Sequence, residues 1–230
     1  MLERHDEGEE WTRPTRGLAM SSPSSTSMPH LDAPAPHAEN EAPNIKPPTV
    51  ARLAETLRVR DGRIVTLRAI QPDDAERLQA FHRRLTPDTV IYRFFHYMPE
   101  LSAEEAYWFT HLDYDQRMAF VVTSPAEGDA SGEAIHAVGR YESLGSERAE
   151  VAFVVEDAWQ GSGLASTLLR RLASFARDRG LTTFVAVTMG SNIRMQNVFR
   201  HSGFPCKMRY DEGEIAVTLD VSQEPGAELR

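Results

Sequence analysis

Gln160, Gly161, Ser162, Gly163, Leu164 and Ala165 form the stretch of this chain best suited to receiving an anion. Gly161, Gly163 and Ala165 are the positions where a larger side chain would keep a ligand from the backbone. An apolar helical pattern starts directly after them, and the first N–H groups of a helix have no partner inside it. The helix dipole adds positive potential there. A pyrophosphate fits such a place. Taken alone, the two glycines fit a plain strand-to-helix turn at least as well.

Upstream lies a candidate for proton transfer. Glu150 is set in the apolar run Ala149, Val151, Ala152, Phe153, Val154 and Val155. Strand alternation puts Glu150 on one face with Ala152 and Val154, while Val151, Phe153 and Val155 point the other way. A carboxylate on such a strand is costly unless it is partnered or neutralised. Partial burial raises its pKa toward the working pH, which suits a general base that deprotonates an ammonium. A surface glutamate at a strand end is the plainer alternative, and Glu142 on the preceding strand is the rival base. Glu156 and Asp157 read as solvated residues flanking the turn. Cys206, the only cysteine, rules out an internal disulfide and reads as a small strand residue. His82, His96, His111, His136 and His201 lack ligand spacing, so no metal is expected.

These residues need a scaffold, and the apolar patterning supplies one. Residues 63–68 alternate as a strand. Helix starts follow at Pro72, at Thr86 with Pro87, and at Ser102 with Glu105, the last as a capping box. Strands are expected over 118–123, 135–141 and 149–155, with a polar loop at 124–132. A helix over 163–179 carries Leu164, Leu168, Leu169, Leu172, Phe175 and Ala176 along one stripe and stops at Gly180. A buried strand over 181–188, a short helix over 193–201 and a hairpin of 208–210 with 215–219 complete the order. The expectation is an α/β (α+β) domain over 57–221, a mixed sheet with helices packed on its faces.

The rest of the chain reads differently. Residues 1–50 hold 8 of the 14 prolines and a serine-rich run at 21–27, without apolar periodicity. Such a segment is expected to be a disordered tail, and 222–230 a flexible C-terminus. A net charge of −9 argues against nucleic acid, which calls for a basic face. No apolar run approaches the ~20 residues of a membrane helix. The first ten residues lack a signal-peptide pattern, so the cytoplasm is the expected compartment. The pattern leaves oligomeric state open.

Two motifs then carry a resemblance. Gln160, Gly163 and Ala165 resemble the Q/R-x-x-G-x-G/A motif of the GNAT superfamily of acyl-CoA N-acyltransferases. Asn192, Met195, Phe199, Gly203 and Phe204 are similar to its N-x-x-A-x-x-x-Y-x-x-x-G-F segment. Residues 65–74 and 81–95 look like the acetyltransferase domain of bacterial Pat-type protein lysine acetyltransferases. The similarity spans roughly 64–219, and a second regulatory domain of the Pat kind is not expected at this length.

The resemblance implies a GNAT fold, with a mostly antiparallel sheet splayed at the acyl-CoA site. It implies a transferase that passes acetyl from acetyl-CoA to a primary amine by direct attack, with Glu150 as base and a protein lysine as acceptor. A small amine (polyamine, amino acid or antibiotic) as acceptor, or a non-catalytic acyl-CoA sensor, are the alternatives. The implied cofactor-binding residues are Phe153, Val154, Val155, Gln160, Gly161, Ser162, Gly163, Leu164, Ala165, Ser166, Asn192, Met195 and Phe199. A backbone N–H near Val154 would face the oxyanion. Asn192 is implied to bind the CoA arm, and it also reads as a helix N-cap. Arg140, Arg170, Arg171 and Arg194 are candidates for the CoA phosphates, or solvated residues. Tyr92, Phe94, Phe95, Tyr107 and Trp108 fall where the fold walls its acceptor site, or serve as core. Phe199 stands where many family members carry the tyrosine that protonates the leaving thiolate. A thiol pKa of about 8.5 allows departure without it.

Overall fold

The computed structural model describes residues 53–126 and 132–226. The expected tail over 1–50, part of the loop at 124–132 and residues 227–230 lie outside the described residues. Eight strands form a single sheet in the order β1-β2-β3-β4-β5-β6-β8-β7. They are β1 (Glu55–Arg58), β2 (Ile64–Ala69), β3 (Arg117–Pro125), β4 (Glu133–Gly145), β5 (Arg148–Val155), β6 (Thr183–Met189), β7 (Cys206–Asp211) and β8 (Glu214–Asp220). Every neighbouring pair is antiparallel except β5 with β6. A parallel pair needs a crossover, and α4 (Leu164–Arg177) provides it.

The β5–β6 pairing is short. It joins Arg148 to Thr183, Ala149 to Phe184 and Glu150 to Val185, and then stops. Beyond that point β5 stays on β4 as far as Val155, while β6 stays on β8 as far as Met189. The sheet is therefore split, and Glu150 stands where the two halves part.

Helices cover both faces. On one, α4 buries Leu168, Leu169, Leu172 and Phe175 against Phe120, Tyr141, Phe153 and Phe184, and α5 (Ile193–Arg200) adds Phe199. Gly139 lets α4 approach β4: a Cβ there would lie 3.0 Å from Leu168 Cβ and from the Phe153 ring. On the other face, α1 (Ala75–Arg83), α2 (Pro87–Phe94) and α3 (Ala103–Thr110) enclose a second core of Leu78, Phe81, Phe94, Phe109, Val121 and Val138.

The local signals in the sequence act as physics requires. Thr86 caps α2 by accepting the Thr89 N–H, with Pro87 in the first turn. Ser102 and Glu105 close a reciprocal capping box on α3. The proline at 72 starts a three-residue 3₁₀ turn, Pro72–Asp74, and α1 begins only at Ala75. The expected domain start near 57 falls inside β1, a strand the apolar pattern does not mark, which pairs with β2 as a hairpin. Residues 222–226 are tied down: the Gly226 N–H donates to Gly203 O at 2.9 Å, and Arg177 pairs with Glu224.

Candidate active site

The split between β5 and β6 opens a cleft of about 1460 Å³. Its floor holds Glu150, and its two walls are the diverging strands. Its mouth is the turn 160–163 with the start of α4 on one side and the start of α5 on the other. All residues expected to bind the cofactor line this cleft except Ser162. Ser162 is buried, with both its N–H and its hydroxyl directed to Trp159 O.

The turn matches its sequence. Gly161 and Gly163 have φ of 79° and 91°, a region that a Cβ disfavours. Gly163 is the N-cap of α4 and offers no side chain to the helix start. The N–H groups of Leu164, Ala165 and Ser166 therefore have no capping partner and point to the cleft mouth. Arg60 reaches the same place from the β1–β2 turn: its Nε lies 3.4 Å from where a Gly163 Cβ would stand, and its N–H donates to Ser162 O. Arg63 fixes this hairpin by stacking on Trp159, 3.5 Å from its ring centroid. Arg60 escaped the sequence reading because the hairpin that carries it did.

The four arginines considered for phosphate contacts separate clearly. Arg194 lines the cleft and donates to Gln160 Oε1. Arg140 is buried under α3 with its guanidinium on Phe109 O at 2.7 Å, away from the cleft. Arg171 donates to Leu53 O, and Arg170 does not line the cleft. Strand alternation sends Arg140 to the α3 face, which removes it from the phosphate end.

Along β5, backbone pairing decides which amides face the gap. The Glu156 N–H donates to His136 O at 2.9 Å. The register pairs Val154 with Val138, two residues along, so the Val154 amide is directed to β4. Those of Phe153 and Val155 face the gap, so among the backbone N–H groups near Val154 it is these two that open to the cleft. Val155 O accepts from Gln160 Nε2 at 3.2 Å.

Burial raises the Glu150 carboxyl from 4.5 to about 7. The Arg93 guanidinium opposes this, and Glu142 reinforces it. Glu142 is the residue directly across from Glu150 on β4, so the rival base acts as a like-charged neighbour. Arg93 comes from α2, which also brings Tyr92, Phe94 and Phe95 to the cleft. Tyr107 instead stacks on His111 in an exposed position, and Trp108 packs on Phe109 and Arg117.

Glu156 and Asp157 are not the solvated pair that their sequence suggests. Glu156 accepts from His136 Nδ1 at 2.8 Å and from Arg84 at 3.0 Å. Asp157 accepts from the Thr86 N–H and hydroxyl and from the Thr89 hydroxyl. Burial pushes the Asp157 carboxyl up, but these hydrogen bonds outweigh it and hold the pKa low. Arg84, Thr86 and Thr89 lie about 70 residues away in sequence and His136 lies 20 away, all beyond the reach of local pattern. Together with Gln160, whose amide reaches Thr89 at 3.2 Å, they pin α2 to the turn. Asn192 caps α5, its Oδ1 accepting the Met195 N–H at 3.1 Å. Phe199 is buried on the cleft wall, edge-on to Phe153 at 6.2 Å. Among the described residues, no group of three or more His, Cys, Asp or Glu is placed to hold a metal, and no helix is long and apolar enough to cross a membrane.

A parallel pair that separates over a cleft, with an uncapped glycine turn at its mouth, is the architecture of an acyltransferase fold. The sequence profile of the acetyltransferase (GNAT) domain family matches residues 65–205, and the chain belongs to that family. It is 32% identical to an acetyltransferase of Pseudomonas aeruginosa over 145 residues, 63% of this chain and 76% of the relative. It is 29% identical to the acetyltransferase Pat of Mycolicibacterium smegmatis over 72% of this chain, and spans about half of that relative's length (48%). Among solved structures, the GNAT domain of S. lividans PAT superposes with a TM-score of 0.65 at 34% identity. That match covers 74% of this chain and 98% of the domain.

Proposed function

We propose that this chain acetylates protein lysines, using acetyl-CoA as donor and Glu150 as general base. The observation that carries this reading is Glu150 itself: a carboxyl with a pKa of about 7, on the floor of a cleft, where two strands part. Such a group is deprotonated often enough near neutral pH to accept a proton and is basic enough to hold it.

The residues present fit acetyl-CoA. The amides of Leu164, Ala165 and Ser166, with Arg60 and Arg194, form the cationic end suited to the pyrophosphate. The free amides of Phe153 and Val155 suit the amide-bearing arm and the thioester oxygen. Bound there, acetyl-CoA supplies an activated acyl group. Glu150 takes the proton from the lysine ammonium, directly or through a water. The freed amine then attacks the thioester carbonyl, a gap-facing amide steadies the charge developing on oxygen, the new C–N nitrogen gives up its second proton to solvent, and the C–S bond breaks to release the thiolate. Phe199 has no proton to give, so the thiolate departs as such or is protonated from solvent.

A protein acceptor is supported by the likeness of residues 65–74 and 81–95 to Pat-type enzymes. It is supported also by the names of the Pat relatives. The test is to incubate the purified chain with labelled acetyl-CoA and either lysine-bearing proteins or small amines such as spermidine and free amino acids. Label on protein lysines, mapped by mass spectrometry, is expected. Turnover of small amines alone would overturn the lysine reading. Acetyl-CoA binding without any transfer would overturn the enzymatic one.

A further inference from the structure

Thr188, near the end of β6, has a hydroxyl that the fold leaves without a partner. The residue is 2% exposed and lines the cleft. Among the described residues three other buried polar atoms lack a partner, the Nε of Arg77, Arg171 and Arg179. Each of those guanidinium groups is bonded through another nitrogen. Thr188 is thus the one side chain of the four whose whole hydrogen-bonding capacity is unmet. Native proteins rarely bury a hydroxyl in this way, and a valine would fill the same space as well, as it does at 185 and 187 in the same strand. The fold gives no reason for the oxygen.

Register shows what the oxygen faces. Glu150 and Val185 are the last partners before the strands separate. Three residues further along each strand lie Phe153 and Thr188, level with each other on opposite walls. Alternation puts the Thr188 side chain on the face of Phe184 and Ala186, which share a core cluster with Phe153 and Phe199. The Phe153 amide, free of β4, opens toward the same gap. An unpaired backbone donor and an unpaired hydroxyl therefore meet at one level of the cleft, beside Phe199.

We propose that Thr188 is a binding residue of the second wall. Its hydroxyl donates a hydrogen bond to an amide carbonyl of the pantetheine arm of bound acetyl-CoA, opposite the backbone contacts of β5. This inference rests on the acyl-CoA reading of the cleft. It gives β6 a side-chain role in holding the donor. The hydroxyl helps to bind the arm and takes no part in moving the proton.

The test uses Thr188→Val and Thr188→Ser in the full chain, with two readouts: the melting temperature without ligand, and acetyl-CoA affinity by calorimetry. Valine removes an unmet polar group, so the free protein should melt at the same temperature or higher. Its acetyl-CoA affinity should fall about tenfold, the loss of one hydrogen bond from a buried site. Serine keeps the hydroxyl and should bind within about twofold of wild type. In steady state, KM for acetyl-CoA should rise with kcat little changed. Wild-type affinity in Thr188→Val would overturn the inference. So would a lower melting temperature of the free Thr188→Val protein, because the hydroxyl would then serve the fold. If the wild-type chain binds no acetyl-CoA, the acyl-CoA reading itself falls, a result distinct from a failure confined to the Thr188 variants.

Discussion

Replacing Glu150 by glutamine should stabilise the protein at pH 8 and leave its stability unchanged near pH 4. In the folded chain, burial lifts this carboxyl from 4.5 to about 7. The folded state thus holds a proton that the unfolded state has released, over the window between those values. A carboxyl raised in this way contributes its full stability below pH 4.5, and that contribution is lost as pH rises through about 7. Above that, the charged form is carried at a cost. At about 1.4 kcal/mol per pKa unit, the shift amounts to roughly 3 kcal/mol. Residual solvent at the cleft floor reduces the effective figure to about 1–2 kcal/mol. Glutamine keeps the shape and never ionises. The opposing attraction to Arg93 is already contained in the net shift, so its loss does not change the sign. For a domain of this size the gain is about 3–6 °C in melting temperature. The assay is thermal unfolding of both proteins from pH 4 to 9. The difference should be near zero at pH 4 and grow through the interval 4.5 to 7. A difference that is flat with pH, or a glutamine variant less stable at pH 8, would refute the reasoning.

Two further outcomes follow from packing and charge. Gly139→Ala would bring a methyl within 3.0 Å of Leu168 Cβ and the Phe153 ring, so α4 must shift; a loss of about 1–3 kcal/mol is expected in chemical denaturation. Arg60→Gln removes a cation from beside the helix start without touching the core; KM for acetyl-CoA should rise severalfold, and the salt dependence of KM should weaken.

The central unit of the site was legible because its determinants are local. Apolar alternation located β5, positive φ at Gly161 and Gly163 requires glycine, and Asn192 is a capping residue in a capping position. Glu150 stood out because a carboxylate in an apolar strand needs a reason. What escaped depends on distance through space. β1 has four residues with one apolar side chain, Leu57, too few for a pattern, and losing it hid Arg60. Glu156 and Asp157 have the composition of a solvated turn, but their partners Arg84, Thr86 and Thr89 come from α2 and the loop before it. Arg140 looked available for phosphate; its burial is set by α3 packing across that face of the sheet. Thr188 reads as one more β-branched residue in a strand until the separation of β5 and β6 leaves its hydroxyl unmatched.

The claim that matters most is that Glu150 is the base. The direct measurement is kcat for acetyl transfer from acetyl-CoA as a function of pH, at saturating substrates, for wild type and Glu150→Gln. The wild-type profile should carry an acidic limb near the Glu150 pKa of about 7. The variant should lose about 10²–10⁴-fold in kcat at pH 8 and should lose that limb. A variant that retains wild-type kcat, or shows the same limb at the same pH, would contradict the account.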